Sequence, residues 1–307
     1  MTTLVYSHDD CLTHVTPDGH PERVERMLAV ERGLAGLTVE RRLAPLGADA
    51  DVLRCHPARY LARVRGAVPA DGLVQMDGDT YLSPGSLNAA LRAVGGVCAG
   101  LDAVMAGEAG NAFVACRPPG HHAERETAMG FCLFGTVAIA AKRALDVHGL
   151  ARVAIVDFDV HHGNGTQDLL WDEARCLFIS SHQMPLYPGS GAMDEGGAHG
   201  QIVNIPLGAG FSGSAMRKVY DTSVFPALLH FAPEMIFVSA GFDAHLDDPL
   251  RGLCWRTDDF AWLTARICDV ADQCCAGRVV STLEGGYDLD ALQDCVAAHV
   301  GVLAERG

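Results

Sequence analysis

The chain has 307 residues, 49% apolar and 20% charged, a balance that excludes a disordered or low-complexity protein and supports a sizeable core. Asp and Glu number 38 against 23 Lys and Arg, a formal charge of −15, which argues against nucleic-acid binding because that function needs a basic face. No 18-residue apolar run is free of both glycine and charge, and MTTLVYSHDD lacks the basic, apolar, small-residue order of a signal peptide; no membrane partner is therefore expected, and the cytoplasm is the expected location.

Eleven cysteines occur without a single C-x-x-C pair, Cys274 and Cys275 being adjacent. They read as small buried thiols in a reducing compartment rather than as a disulfide framework or a zinc knuckle.

Along the chain one unit recurs: an apolar run, a Gly-rich polar loop, then a helical pattern. A helix is predicted over Ser86 to Met105, after which NAFVAC leads into RPPGHHAERETAMGF and a helix over Val137 to Asp146. RVAIV leads into DFDVHHGNGT, and CLFIS into SHQMPLYPGSG, followed by a helix over Ala215 to His230. MIFVSA leads into GFDAHLDDP and a helix over Thr257 to Cys274; RVVSTL leads into EGGYDLD and a helix over Ala291 to Ala304. Buried strands alternating with helices predict one α/β domain over residues 1–307, a mostly parallel central sheet with helices on both faces. In such sheets ligands bind outside the carboxyl ends of the strands, and every His and Asp cluster falls there.

In Asp159-Val160-His161 the two polar side chains project to the same side of an extended segment. An Asp–His hydrogen bond at a strand end would account for that pair alone. Asp243, after another apolar strand, adds a third donor, and three donors leave open positions of the kind a catalytic metal site keeps. The N/O set suits Zn2+, and Fe2+ or Co2+ fits as well. His121 and His122 stand in tandem on a Pro-Pro-Gly loop, as a neutral-pH base requires, or simply as polar loop residues. Tyr287, on a double-glycine loop, is either a turn cap or an oxyanion donor.

Together HPERVERM, DTYLSPGS, RPPGHHA, GFCLF, DFDVHHGNGT, SSHQMPLYPGSG, GFDAHLDDPL and EGGYDL resemble, in order, the histone deacetylase family of the arginase-like α/β superfamily, over roughly residues 8–300. The resemblance implies a three-layer α/β/α fold and a zinc-dependent amidohydrolase that deacetylates acetyl-lysine or an acetylated polyamine. It makes Asp159, His161 and Asp243 the zinc ligands and Tyr287 the group that polarises the acyl carbonyl. His121 and His122 become the catalytic histidines, with His122 the general base and acid. Asp157 orients the first. Asn164 partners the second, as in class II members and bacterial deacetylase-like amidohydrolases, and a neutral Asn predicts a lower His122 pKa than an Asp would give. A structural K+ is implied beside Asp157, the carbonyls of Asp159, His161 and Ser181, and the Ser180 hydroxyl.

The resemblance also implies an acyl channel walled by Phe131 and Tyr187, with the Gly130 carbonyl accepting the substrate amide N–H. Leu250 stands where polyamine-selective relatives carry an acid. His20 and Asp79, on the mouth segments 9–25 and 77–86, complete the expected substrate-contacting set; Asp79 and Glu22 are the acids that could favour a polyamine at the mouth. Gly135 and Thr136 replace the relatives' paired Asn, leaving the start of the next helix less defined. An arginase-like ureohydrolase is the enzymatic alternative, but the place of its second bridging Asp is Gly163. A non-catalytic acyl-lysine-binding module is the other. A homodimer or homotetramer is compatible with the compact length.

Overall fold

The structure, a computed structural model, describes residues 2–307. The strands are β1 (Thr3–Ser7), β2 (Glu40–Leu43), β3 (Val74–Gln75), β4 (Tyr81–Leu82), β5 (Asn111–Val114), β6 (Val153–Asp157), β7 (Cys176–Gln183), β8 (Ile202–Leu207), β9 (Ile236–Ala240) and β10 (Val279–Leu283). The helices are α1 (Glu25–Leu34), α2 (Asp49–Val52), α3 (Ala58–Ala67), α4 (Ser86–Met105), α5 (Thr136–Asp146), α6 (Asn164–Leu170), α7 (Gly213–Val219), α8 (Phe225–Phe231), α9 (Thr257–Cys275) and α10 (Leu289–Arg306).

Eight strands form one sheet in the order β2-β1-β5-β10-β9-β6-β7-β8, and every pairing in it is parallel. The central runs VAIVD, IFVSA and VVSTL are buried at every position, as strands covered on both faces must be. β5 shows the two layers directly. Ala112 and Val114 pack against Gly100 and Gly96 of α4, while Phe113 meets His299 of α10 on the opposite face. A Cβ on Gly96 would approach Val114 to 2.9 Å, so small residues are what let α4 lie close on the sheet. By length and composition α4 would suffice to cross a membrane; here it is a core helix, packed on α5, β1, β5 and β10.

The five strands expected from the apolar runs are β5, β6, β7, β9 and β10. The helix expected over Ala215 to His230 is α7, a π turn at Tyr220–Val224, and α8. Pro226, just inside α8, has no N–H to donate back along the helix, and the wider turn takes up the mismatch. The helix after the Gly135-Thr136 departure begins cleanly at Thr136. All eleven cysteines are free thiols.

Candidate active site

Because the sheet is parallel, the loops after β5, β6, β9 and β10 leave from one edge and converge. Asp159 and His161 follow β6, and Asp243 follows β9. His161 Nδ1 lies 3.0 Å from Asp159 Oδ1 and 3.1 Å from Asp243 Oδ2. Backbone donors fix the other carboxylate oxygens: Gly285 N–H donates to Asp159 Oδ2 at 2.8 Å, and Val160 N–H to Asp243 Oδ1 at 2.9 Å. Glycine is required on both sides, since a Cβ at Gly241 would meet Asp159 Oδ2 at 2.1 Å and one at Gly285 would meet Asp243 Oδ2 at 2.1 Å.

These three residues form the one cluster of metal-ligating type among the described residues, with donor atoms all within 4.8 Å of one another and all three residues buried. Two buried carboxylates share a single imidazole. Burial, then the Asp159 charge, pushes the Asp243 carboxyl up to about 7. Burial alone would lower the His161 pKa, yet the two carboxylates raise it to about 10. Two buried carboxylates and an imidazole converging as an N/O donor set, with one side open to a cavity, fit a divalent cation.

The tandem histidines sit beside it. His121 Nδ1–H donates to Asp157 Oδ2 at 3.0 Å, and its Nε2 lies 3.7 Å from Asp159 Oδ2. Burial works against its charge, but Asp159 and Asp157 overcome this and hold its pKa well above the usual histidine range. His122 Nδ1 lies 2.7 Å from Asn164 Oδ1. Burial, with His121 and His161 beside it, holds the His122 pKa well below the usual range. Their surroundings thus push the two imidazoles in opposite directions, which is how neighbouring groups come to play different proton-transfer roles. The carbonyl segment at Gly130 (φ 54°) presses on the His122 ring, where a Cβ would meet Cδ2 at 2.4 Å.

A cavity of about 370 Å³ opens onto the cluster, lined by His20, Pro21, Asp79, His122, Gly130, Phe131, His161, Leu186, Tyr187, Leu250 and Tyr287. Phe131 and Tyr287 meet edge to face at 5.8 Å, and His122 and Tyr187 at 5.2 Å. At the rim His20 Nε2–H donates to the Asp79 carbonyl at 2.9 Å, and its ring packs on Phe131 at 4.7 Å. Burial raises the Tyr287 phenol well above its usual pKa, so it remains an O–H donor, with the Arg26 guanidinium 4.9 Å from its ring centre.

All the expected site residues thus come together, with one correction at the mouth. Glu22 is not a rim acid: it is fully buried, and it binds Arg117 by two contacts and Arg26 at 3.1 Å. Two buried guanidiniums need that carboxylate, so it cannot meet a substrate. The segments named for a monovalent ion lie together, since Asp157 pairs with Ser180 in the β6–β7 register. Their side chains are also engaged elsewhere: Ser180 Oγ with His182 Nδ1 at 3.0 Å, and Ser181 Oγ with Tyr220 OH at 2.6 Å. At Gly163 a Cβ would meet Asp157 Oδ2 at 2.3 Å, leaving no room for the bridging Asp of a two-metal ureohydrolase.

Three supporting carboxylates escape sequence reasoning. Glu284 accepts the N–H groups of Gly120 and His121. Asp248 accepts from Leu250 through one oxygen and from Tyr287 and Asp288 through the other. Glu124 accepts from Asn164. Accepting backbone or amide hydrogens imposes no spacing a reader could find, and only DDP and LEGG mark the first two as acids beside glycine or turn residues.

A family model described as the histone deacetylase domain matches residues 20–303. The histone deacetylase-like amidohydrolase of Pseudomonas aeruginosa is 42% identical over 93% of this chain and 77% of that protein. A chloroplastic histone deacetylase 10 of Oryza sativa is 37% identical over 96% of this chain and 71% of that protein, and a probable deacetylase of Archaeoglobus fulgidus is 38% identical over 94% and 82%. The crystal structure of the HDA15 HD domain superposes with a TM-score of 0.94 at 31% identity, covering 99% of this chain and 89% of that one. With a family model spanning most of its length and relatives of this similarity, the chain belongs to the histone deacetylase family.

Proposed function

We propose that the chain hydrolyses the amide of an acetylated amine, either acetyl-lysine in a peptide or an acetylated polyamine, in a reaction dependent on one divalent cation. The observation that carries this is the convergence of Asp159, His161 and Asp243 beside an apolar cavity that His161 lines together with His122 and Tyr287. Those three residues would hold the ion, zinc by donor type with Fe2+ or Co2+ as chemical equivalents. When bound, the cation supplies a Lewis acid and lowers the pKa of a coordinated water to about 7.

The chain's own groups do the rest. Asn164 Oδ1 faces His122 Nδ1, which places that proton on Nδ1 and leaves Nε2 free as the base for the attacking water and then the acid for the departing amine. His121, whose pKa Asp159 and Asp157 hold above the usual range, adds positive charge where the oxyanion forms. The Tyr287 phenol donates a hydrogen bond to that oxygen. Phe131, Tyr187, Leu186 and Leu250 enclose a straight acyl-bearing chain and exclude water, and the Gly130 carbonyl accepts the substrate amide N–H. Asp157, Ser180 and nearby carbonyls are the proposed K+ site.

Asp79 is the one carboxylate in the cavity lining, which suits an amine-bearing substrate, while Leu250 favours a peptide over a free polyamine. The test is to compare kcat/KM for an acetyl-lysine peptide, N-acetylputrescine and a longer-acyl peptide, before and after metal stripping. Hydrolysis of none by the metal-loaded protein would leave only a binding module.

A further inference from the structure

The amide of Asn164 is symmetric in shape but not in chemistry, and something must decide which end faces His122. Its Nδ2 donates to Glu124 Oε1 at 2.8 Å and to Met129 Sδ at 3.4 Å, both acceptors only, while Oδ1 faces His122 Nδ1 at 2.7 Å. Turning the amide over would set its oxygen against the Glu124 carboxylate and its NH2 against His122 Nδ1. To avoid two facing donors, His122 would then carry its proton on Nε2, the nitrogen pointing toward the cavity, and lose the lone pair needed there.

Glu124 is itself held to the helix that bears Asn164. Its backbone pairs with Thr127 in a tight turn, with Glu124 N–H donating to Thr127 O at 3.0 Å. The next residue's N–H donates to Asp168 Oδ2 at 2.8 Å, in the same helix α6. A Cβ at Gly165 would collide with Ala123 O at 2.4 Å, so the start of α6 lies directly on this segment. The carboxylate and the amide cannot drift apart independently.

Building on the hydrolase reading, we infer that Glu124 is a positioning residue: by fixing the orientation of the Asn164 amide it selects the His122 tautomer whose Nε2 is free. The arrangement spreads over two residues a task that a carboxylate at position 164 would do alone, because a carboxylate has an acceptor at both ends.

That difference supplies the test. With an acetyl-lysine peptide and metal-loaded protein, Glu124→Ala should lower kcat about tenfold with KM unchanged, as when a partner orienting an active-site imidazole is removed. Glu124→Gln, which can still present a carbonyl to Asn164 Nδ2, should recover most of that loss. In an Asn164→Asp background, Glu124→Ala should cost no more than about twofold, the scatter of independent pairs. In parallel, long-range 1H–15N NMR of the His122 ring, assigned against His122→Phe, should find Nε2 unprotonated in the parent and protonated in a sizeable fraction of Glu124→Ala. Parent-like kcat and tautomer in Glu124→Ala, or an equal loss in both backgrounds, would overturn the inference. The NMR arm needs no turnover, so it stands even if the hydrolase reading fails.

Discussion

One carboxylate oxygen of Glu284, at the end of β10, accepts the backbone N–H of His121 at 3.1 Å and that of Gly120 at 2.7 Å. The loop carrying the tandem histidines is thus tied across the sheet edge to the loop carrying Tyr287. Glu284→Ala strands two buried N–H groups at about 1–3 kcal/mol each, so urea denaturation should show a loss of about 3 kcal/mol. Glu284→Gln keeps a carbonyl acceptor and should lose far less. Equal losses would mean that charge, not hydrogen bonding, is what the position supplies.

Tyr287→Phe removes the phenolic O–H while keeping the ring against Phe131 and Arg26. If the hydroxyl acts on the oxyanion, kcat falls about a hundredfold with little change in KM. Full turnover in this variant would remove Tyr287 from the mechanism.

Asn164→Asp replaces a neutral partner of His122 with an anion, which favours the protonated imidazole and raises its pKa. If His122 is the base, it must be unprotonated to act, so the acid limb of the kcat/KM profile should move to higher pH. A limb that stays in place or moves down would show that the limb does not report His122.

The Glu22 carboxylate offers a separate check on stability. Burial would raise its pKa, but Arg117 and His14 hold it well below the usual range. A carboxyl depressed on folding contributes stability that is complete above its unfolded pKa and is lost as pH falls through the folded one. Glu22→Gln should therefore cost about 3–5 kcal/mol near neutral pH, by leaving Arg117 and Arg26 unpaired in the core. The gap from the parent should narrow as pH falls below the ordinary carboxylate range. A pH-independent gap in denaturation midpoint would contradict this.

Much of the site was legible because a buried strand that runs into polar residues announces itself: VAIV before Asp157 and Asp159, IFVSA before Asp243, VVSTL before Tyr287. The D-x-H spacing carried real geometric content, since it brings both side chains to one side. What stayed hidden lacks a local pattern. β2 (Glu40–Leu43) is a charged edge strand, and β8 (Ile202–Leu207) is an edge strand that tolerates Pro206 because an edge residue need not donate. Glu22 reads as a rim acid because a carboxylate near a mouth segment and one buried between two arginines look alike in sequence. Glu124, Asp248 and Glu284 act on groups 40, 39 and 163 or more positions away, distances that only the parallel sheet closes.

In the proposed reaction one divalent cation, gripped by Asp159, His161 and Asp243, makes the chain a hydrolase. Metal content and acetyl-lysine peptide hydrolysis, measured together on the parent and on Asp243→Ala during chelation and stepwise zinc return, test it most directly. Activity should disappear on stripping and return in proportion up to one ion per parent chain, with Asp243→Ala failing to retain the ion. Undiminished hydrolysis by the stripped protein, or an ion held equally well without Asp243, would contradict it.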